Sequence, residues 1–270
     1  MSLSIIKLGG SSITFKDKPF SINEDGIKNI AEALADAKER YFLIHGGGSW
    51  GHPAATIYGL SSFTYNESNK GVSFTKIKMQ QLSVQVQKFL LEKGISTFYF
   101  PAQLLEVINK DEILEMIDKS VYPLTYGDVI YERNKGFRVI GGDEIALKLS
   151  DKFPVKKVVF IMGTPGILDE NGNIIDKISI VESKGSVYIG EVPIIVGNGF
   201  VKFEKILLKM SENSPDATGG ISYKLYVAYM LAKKGINSAF INAEDKENII
   251  KAIKGYKFEG SVVMSDGSKE

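Results

Sequence analysis

The chain has 270 residues, 44% of them apolar, with 33 Lys and Arg against 32 Asp and Glu and no cysteine. That length and apolar share suffice for a sizeable core, while a formal charge of +1 leaves no global field to attract nucleic acid or an anionic membrane. Without cysteine there are no disulfides, thiolate metal sites or thiol nucleophiles, and no apolar run approaches the roughly 20 residues that cross a bilayer.

The N-terminus enters a strand pattern at once, without the basic head and long apolar segment of a signal peptide, so a soluble cytoplasmic protein is expected. Short apolar runs predict strands near residues 4 to 8, 41 to 45, 96 to 100, 121 to 125, 157 to 162 and 238 to 241. Helical periodicity predicts helices near 23 to 39, 74 to 93, 143 to 150 and 221 to 234. Such alternation implies an α/β fold, a three-layer sandwich whose central, mainly parallel sheet lies between helices. The segment from Tyr126 to Ile140 predicts a hairpin turning at Asn134 to Gly136, with Phe137 and Val139 on one face of the return strand. A second hairpin is expected at Asp169 to Ile175, and short strands and loops between Ser183 and Glu204, to which no role is assigned. One domain over residues 1–270 is expected, with two lobes that divide at about Lys148.

Most of the chemistry-bearing motifs fall at the predicted strand ends. Tyr41-Phe-Leu-Ile-His-Gly-Gly-Gly-Ser-Trp-Gly-His52 closes an apolar run with three glycines, and Lys7-Leu-Gly-Gly-Ser-Ser12 repeats the arrangement upstream. Glycine-rich strand-to-helix turns expose backbone N–H groups that hold anions, so two of them point to two phosphates held near each other. Gly46 to Gly51 matches G-x-G-x-x-G, but the stretch from Pro53 to Lys70 holds no second strand ending in the acidic residue that a dinucleotide site needs. No P-loop motif occurs. Asp169 to Asp176 starts like a calcium loop, yet Ile174 and Ile180 stand where glycine and glutamate belong, so it reads as a turn. His45 and His52 are seven residues apart, not the spacing of a helical zinc pair, and no metal-ligating set is assigned. His45, ending an apolar strand, reads as structural, whereas His52 lies past the glycines, where its ring can reach an anion held by the turn. Lys7, Lys16, Gly141-Gly-Asp143, Gly163-Thr-Pro-Gly166 and Thr218-Gly-Gly-x-x-x-Lys224 complete the set. Open α/β sheets bind ligands at the carboxyl ends of their strands, so these motifs converge on one crevice.

In this order the motifs resemble the amino acid kinase superfamily from Ile5 to about Ala243, and within it the archaeal-type isopentenyl phosphate kinases, which share the histidine after the glycine turn, Tyr126-Gly-Asp128 and Gly141-Gly-Asp143. Acetylglutamate, aspartate and uridylate kinases share the glycine turns and lysines but typically lack that histidine. Fosfomycin-resistance kinases have it and form the nearest rival. The resemblance implies a usually dimeric kinase that phosphorylates isopentenyl phosphate with ATP, the Mg²⁺ being carried by the nucleotide. It implies that Gly9, Gly10, Gly47 and Gly48 supply backbone donors, with Gly9, Gly10 and Ser11 on the ATP side and Gly47 and Gly48 toward the substrate. His52 would hold the acceptor phosphate, with Gly142 helping to position it. Lys7, Lys16 and Lys224 would lie along the transferring phosphoryl group, and Asp143 would orient the lysines. Gly163, Thr164, Gly166, Thr218 and Gly219 would border the nucleotide. The chain departs from relatives that read Thr-Asp-Val-Asp-Gly where it has Gly163-Thr-Pro-Gly166, and it has Ala217 where they have valine.

A phosphate monoester is already a nucleophilic oxyanion at neutral pH, so such a site needs charge neutralisation and positioning rather than a general base. An isopentenyl tail needs an apolar wall, for which the residues Phe74, Ile77, Leu82, Val86, Phe89 and Leu90 are candidates, although they read more readily as plain core. Fosfomycin would favour a tighter, wetter pocket. A nucleotide-binding protein without turnover is the alternative from another class, disfavoured by the presence of all three lysines.

Overall fold

The computed structural model of the chain describes residues 2–61, 65, 68–168, 171–183, 186–189, 192–197, 200–203 and 220–264. In chain order the first half comprises β1 (Leu3–Leu8), α1 (Gly10–Ile13), α2 (Glu24–Ala37), β2 (Tyr41–His45), α3 (Gly48–Ile57), α4 (Asn69–Glu92), β3 (Ser96–Tyr99), α5 (Lys110–Asp118), β4 (Val121–Tyr126), β5 (Asp128–Glu132) and β6 (Gly136–Ile140). The second half comprises α6 (Gly142–Lys152), β7 (Val155–Met162), β8 (Lys177–Ser183), β9 (Ser186–Ile189), β10 (Val192–Gly197), β11 (Phe200–Phe203), α7 (Gly220–Lys233), β12 (Asn237–Asn242), α8 (Lys246–Lys254) and β13 (Ser261–Met264).

The central sheet runs β8-β13-β12-β7-β1-β2-β4-β3, and β9, β10 and β11 extend it beyond β8. Every pair within the central eight is parallel except β12 with β13. Strands buried on both faces read as unbroken apolar runs, and alternate residues go to opposite layers. Ile5, Phe42, Ile44, Val158 and Phe160 pack with Ile113 and Ile117 of α5, Ile145 and Leu149 of α6, and Leu225 and Leu231 of α7. Ile6, Leu8, Leu43, Val159 and Ile161 pack on the other face with Ile27, Ile30 and Leu34 of α2, Leu82 and Val86 of α4, and Ile249 and Ile253 of α8. This is the expected three-layer α/β sandwich.

The expected strands and helices are all present. α4 starts earlier than expected, because the Ser68 hydroxyl caps it by accepting the Gly71 N–H at 3.2 Å. The short elements α1, α5, α8, β8 and β13 were not anticipated. The hairpin of β5 and β6 forms as expected, with Asn134 and Gly136 at positive φ and Val139 opposite Val129. An antiparallel bridge between Leu168 and Ile174 closes the second turn.

β1 lies where strand order reverses, between β2 and β7, the position at which open sheets leave a crevice. The carboxyl ends of β1, β2, β4 and β7 lead into Gly9, Gly46, Gly127 and Gly163 respectively, so four glycine turns share one edge. His45 ends β2 wholly buried, its ring 4.9 Å from that of Tyr126 and its Nδ1 3.0 Å from the Gly46 carbonyl oxygen. It is core, as expected.

Burial pulls the His45 pKa down from 6.5 to about 4, only partly offset by the Gly46 carbonyl. The unfolded chain therefore takes up a proton that the folded chain refuses. The resulting stability is full above pH 6.5 and is lost as pH falls toward 4, by up to about 3 kcal/mol. Urea unfolding at pH 7 and about pH 4.5 should show the loss, and His45→Leu should flatten that part of the profile.

Candidate active site

The two glycine turns touch each other. A Cβ on Gly10 would lie 2.3 Å from the Gly48 nitrogen, and one on Gly48, itself at φ +47, would lie 2.1 Å from Thr14 Oγ1. Only glycine lets the backbones approach so closely. Thr14 joins them, its hydroxyl donating to the Gly10 carbonyl at 2.7 Å and accepting the Ser49 N–H at 2.9 Å. Gly10 and Gly48 open helices, and Gly47 caps the second. N–H groups at such positions have no acceptor within their own helix. Gly9 is a correction: its N–H donates to the Ile161 carbonyl at 2.7 Å, so what it contributes is room rather than a donor. On the far side, Ser11 Oγ accepts the Gly163 N–H at 3.0 Å, tying the β7 turn to the β1 turn.

Around these turns lies a cavity of about 720 Å³. Of the expected residues, Lys7, Gly9, Gly10, Ser11, Lys16, Gly47, Gly48, His52, Gly142, Asp143, Gly163, Thr164 and Lys224 all line it. Gly166 does not: it faces Ser261, whose Oγ is 2.8 Å from where its Cβ would be, and its carbonyl accepts the Thr164 hydroxyl. Thr218 and Gly219 lie outside the described residues. For the apolar wall the favoured reading holds, in that none of the six candidates lines the cavity. α4 contributes Thr75 and Met79 to the cavity rather than any of the six residues proposed, of which Leu82, Val86 and Leu90 are fully buried core. Further apolar lining comes from Phe15, from Pro53 and Ala55 on α3, Val139 and Ile140 on β6, Met162 on β7 and Ile221 on α7.

Asp143, in the first turn of α6, joins two lysines that the sequence holds far apart. Its Oδ1 is 3.0 Å from Lys7 Nζ and its Oδ2 accepts from Lys224 Nζ at 2.8 Å, with all three side chains nearly buried. Burial works to raise the Asp143 pKa, but the Lys224 and Lys7 charges outweigh it and hold it near 2. Lys7 is lowered to about 8, first by burial and then by Lys224, against the pull of Asp143. Lys16 is exposed at the cavity mouth and His52 is half-buried on α3. Among the described residues no cluster of three or more His, Cys, Asp or Glu side chains is placed to hold a metal ion.

Asp128 also lines the cavity, and no role had been assigned to it. It is buried, bonded to Lys76 Nζ at 2.5 Å, and accepts its neighbour Val129's N–H at 2.8 Å. Burial lifts its pKa against the opposing pull of Lys76. The Tyr-Gly-Asp motif marked the position, but the partner on α4 could be found only in three dimensions.

A sequence model of the amino acid kinase family matches residues 2–242. The chain is 26% identical to the isopentenyl phosphate kinase of Methanocaldococcus jannaschii, over 97% of this chain and 98% of that one. It is 28% identical to the enzyme of that name from Haloferax volcanii, over 93% and 99%. The Thermoplasma acidophilum isopentenyl phosphate kinase, solved as a product complex, superposes with a TM-score of 0.72 at 22% identity, covering 97% of this chain and all of that one. At that identity the likeness shows the fold.

Two outcomes follow from the geometry. Gly10→Ala should lower the unfolding free energy by about 1–3 kcal/mol, because the new methyl meets backbone rather than a movable side chain. Amine-reactive labelling read by mass spectrometry should find Lys7 becoming reactive near pH 8. Asp143→Asn should move that onset to lower pH, since the carboxylate is what keeps the proton on.

Proposed function

The chain belongs to the amino acid kinase family, and from that premise we propose that it transfers the γ-phosphoryl group of ATP to isopentenyl phosphate, giving isopentenyl diphosphate and ADP. One observation carries the choice of acceptor. The cavity that holds Lys7, Lys224 and His52 is also lined by apolar Pro53, Ala55, Met79, Val139 and Ile140, which suits a charged head on a short hydrocarbon tail. Two near-full-length relatives named isopentenyl phosphate kinase support the same reading.

In this reading an acceptor phosphate oxygen attacks the γ-phosphorus, the bond to the β-phosphate oxygen breaks, and ADP leaves. Backbone donors of Gly10, Gly47 and Gly48 cradle the facing phosphates. Lys7 and Lys224 neutralise charge on the transferring group, Asp143 fixes their ammonium groups, and Lys16 adds a cation at the mouth. His52 and the start of α6 at Gly142 hold the acceptor phosphate. Gly163 and Thr164 border the nucleotide, which brings Mg²⁺ as additional positive charge on its own phosphates. The acceptor then lies over the half of the chain up to about Lys148 and the nucleotide over the rest. The reading includes a cytoplasmic homodimer. Ile77, Val84 and Leu91, exposed at seven-residue intervals along α4, form a strip that such pairing would cover.

A coupled ADP-release assay over isopentenyl phosphate, dimethylallyl phosphate, fosfomycin, acetylglutamate, aspartate and UMP tests this. The prenyl monophosphates should turn over. Fosfomycin turning over alone would transfer the function to the rival class, and no turnover with any acceptor would favour a binding protein. His52→Ala should fold normally yet lose on the order of a hundredfold in kcat/KM for isopentenyl phosphate.

A further inference from the structure

Lys78 of α4 stands outside the cavity lining, yet three aromatic rings surround it. Its ammonium is 4.5 Å from the ring centroid of Phe20, 5.6 Å from that of Phe74 and 6.0 Å from that of Trp50. Phe20 and Trp50 meet edge to face at 5.7 Å. A cation over aromatic faces is attracted by their quadrupoles, most strongly where water is partly excluded, and Lys78 is half-buried.

What these rings belong to gives the arrangement its meaning. Phe20 ends the segment 15–20, whose Phe15, Lys16 and Asp17 line the cavity, and Trp50 lies two residues before His52. The two segments are stitched by the Phe20 N–H donating to the Ser49 carbonyl at 3.1 Å and by Trp50 Nε1 donating to the Ser21 carbonyl at 2.9 Å. Phe20 also sits at φ 57, a left-handed conformation that a bulky side chain adopts only when its surroundings enforce it.

We propose that Lys78 is a positioning residue: by capping Phe20, Trp50 and Phe74 it clamps the segment carrying Lys16 onto the start of the helix carrying His52, so that both stay at one wall of the cavity. This rests on the kinase reading given above. Trp50 is the chain's single tryptophan, which gives the clamp an optical signal independent of turnover.

The test compares the parent protein with Lys78→Met, Lys78→Arg and Phe20→Leu, each first checked for a native unfolding midpoint. Lys78→Met should lower kcat about tenfold through misplacement of Lys16, with a smaller change in the KM for ATP, and should raise acrylamide quenching of Trp50 about twofold. Arginine keeps a cation over the rings, so Lys78→Arg should recover most of both. Phe20→Leu should reproduce the methionine variant, and it decides the matter if Lys78→Met fails to fold. Parent-like kcat and quenching in Lys78→Met and Phe20→Leu would overturn the clamp, as would a kinetic loss that arginine fails to rescue. Should the parent turn over no acceptor, the kinase reading fails separately, and quenching alone decides: a rise reversed by arginine supports the clamp, and equal quenching in all four proteins overturns it.

Discussion

One buried carboxylate shared by two buried ammonium groups is the interaction on which the site depends. Desolvating three charges is costly, and the two lysines meeting at Asp143 leave one positive charge uncompensated. Asp143 answers this in part by staying ionised against its burial, and Lys7 by holding its proton less firmly than an exposed lysine would. An anion entering the crevice would supply the missing negative charge. The same contact joins β1, α6 and α7, so the sheet and both helices must be in register before the cluster exists.

The architecture was legible in the chain because its central strands are buried on both faces and read as continuous apolar runs, as in Val158 to Met162. The shorter elements left fainter marks. In α5 only Ile113 and Ile117 are fully buried, a single i, i+4 pair among charged residues. β13 has four residues, too few for alternation to speak. α4 showed its core stripe clearly, but a stripe does not say which turn of a helix reaches a cavity. That is why Leu82 and Val86 were candidates while Thr75 and Met79 form the lining.

Within the site, most of the residues singled out at strand ends do line the cavity, since glycine turns, lysines and an acidic helix start have few other uses in that pattern. Hydrogen-bond partnerships were not accessible in the same way. Gly9 looks like its neighbour Gly10 in sequence, yet its N–H is taken by β7, a strand that begins well over a hundred residues later. Thr14 gave no signal at all, because its value lies in bridging two turns that only the fold brings together. Gly166 was expected to border the nucleotide and instead packs against Ser261.

The placement of β1 has a consequence for how the molecule comes into being. β1 lies inside the sheet, paired with β2 nearby in the chain and with β7 far along it. Its Lys7 must wait for Asp143, and then for Lys224, before its charge is shared. Such distant pairings slow folding and favour partly ordered intermediates in a chain of this size. A nascent chain released before α7 is made would therefore carry most of the sheet and none of the completed charge cluster.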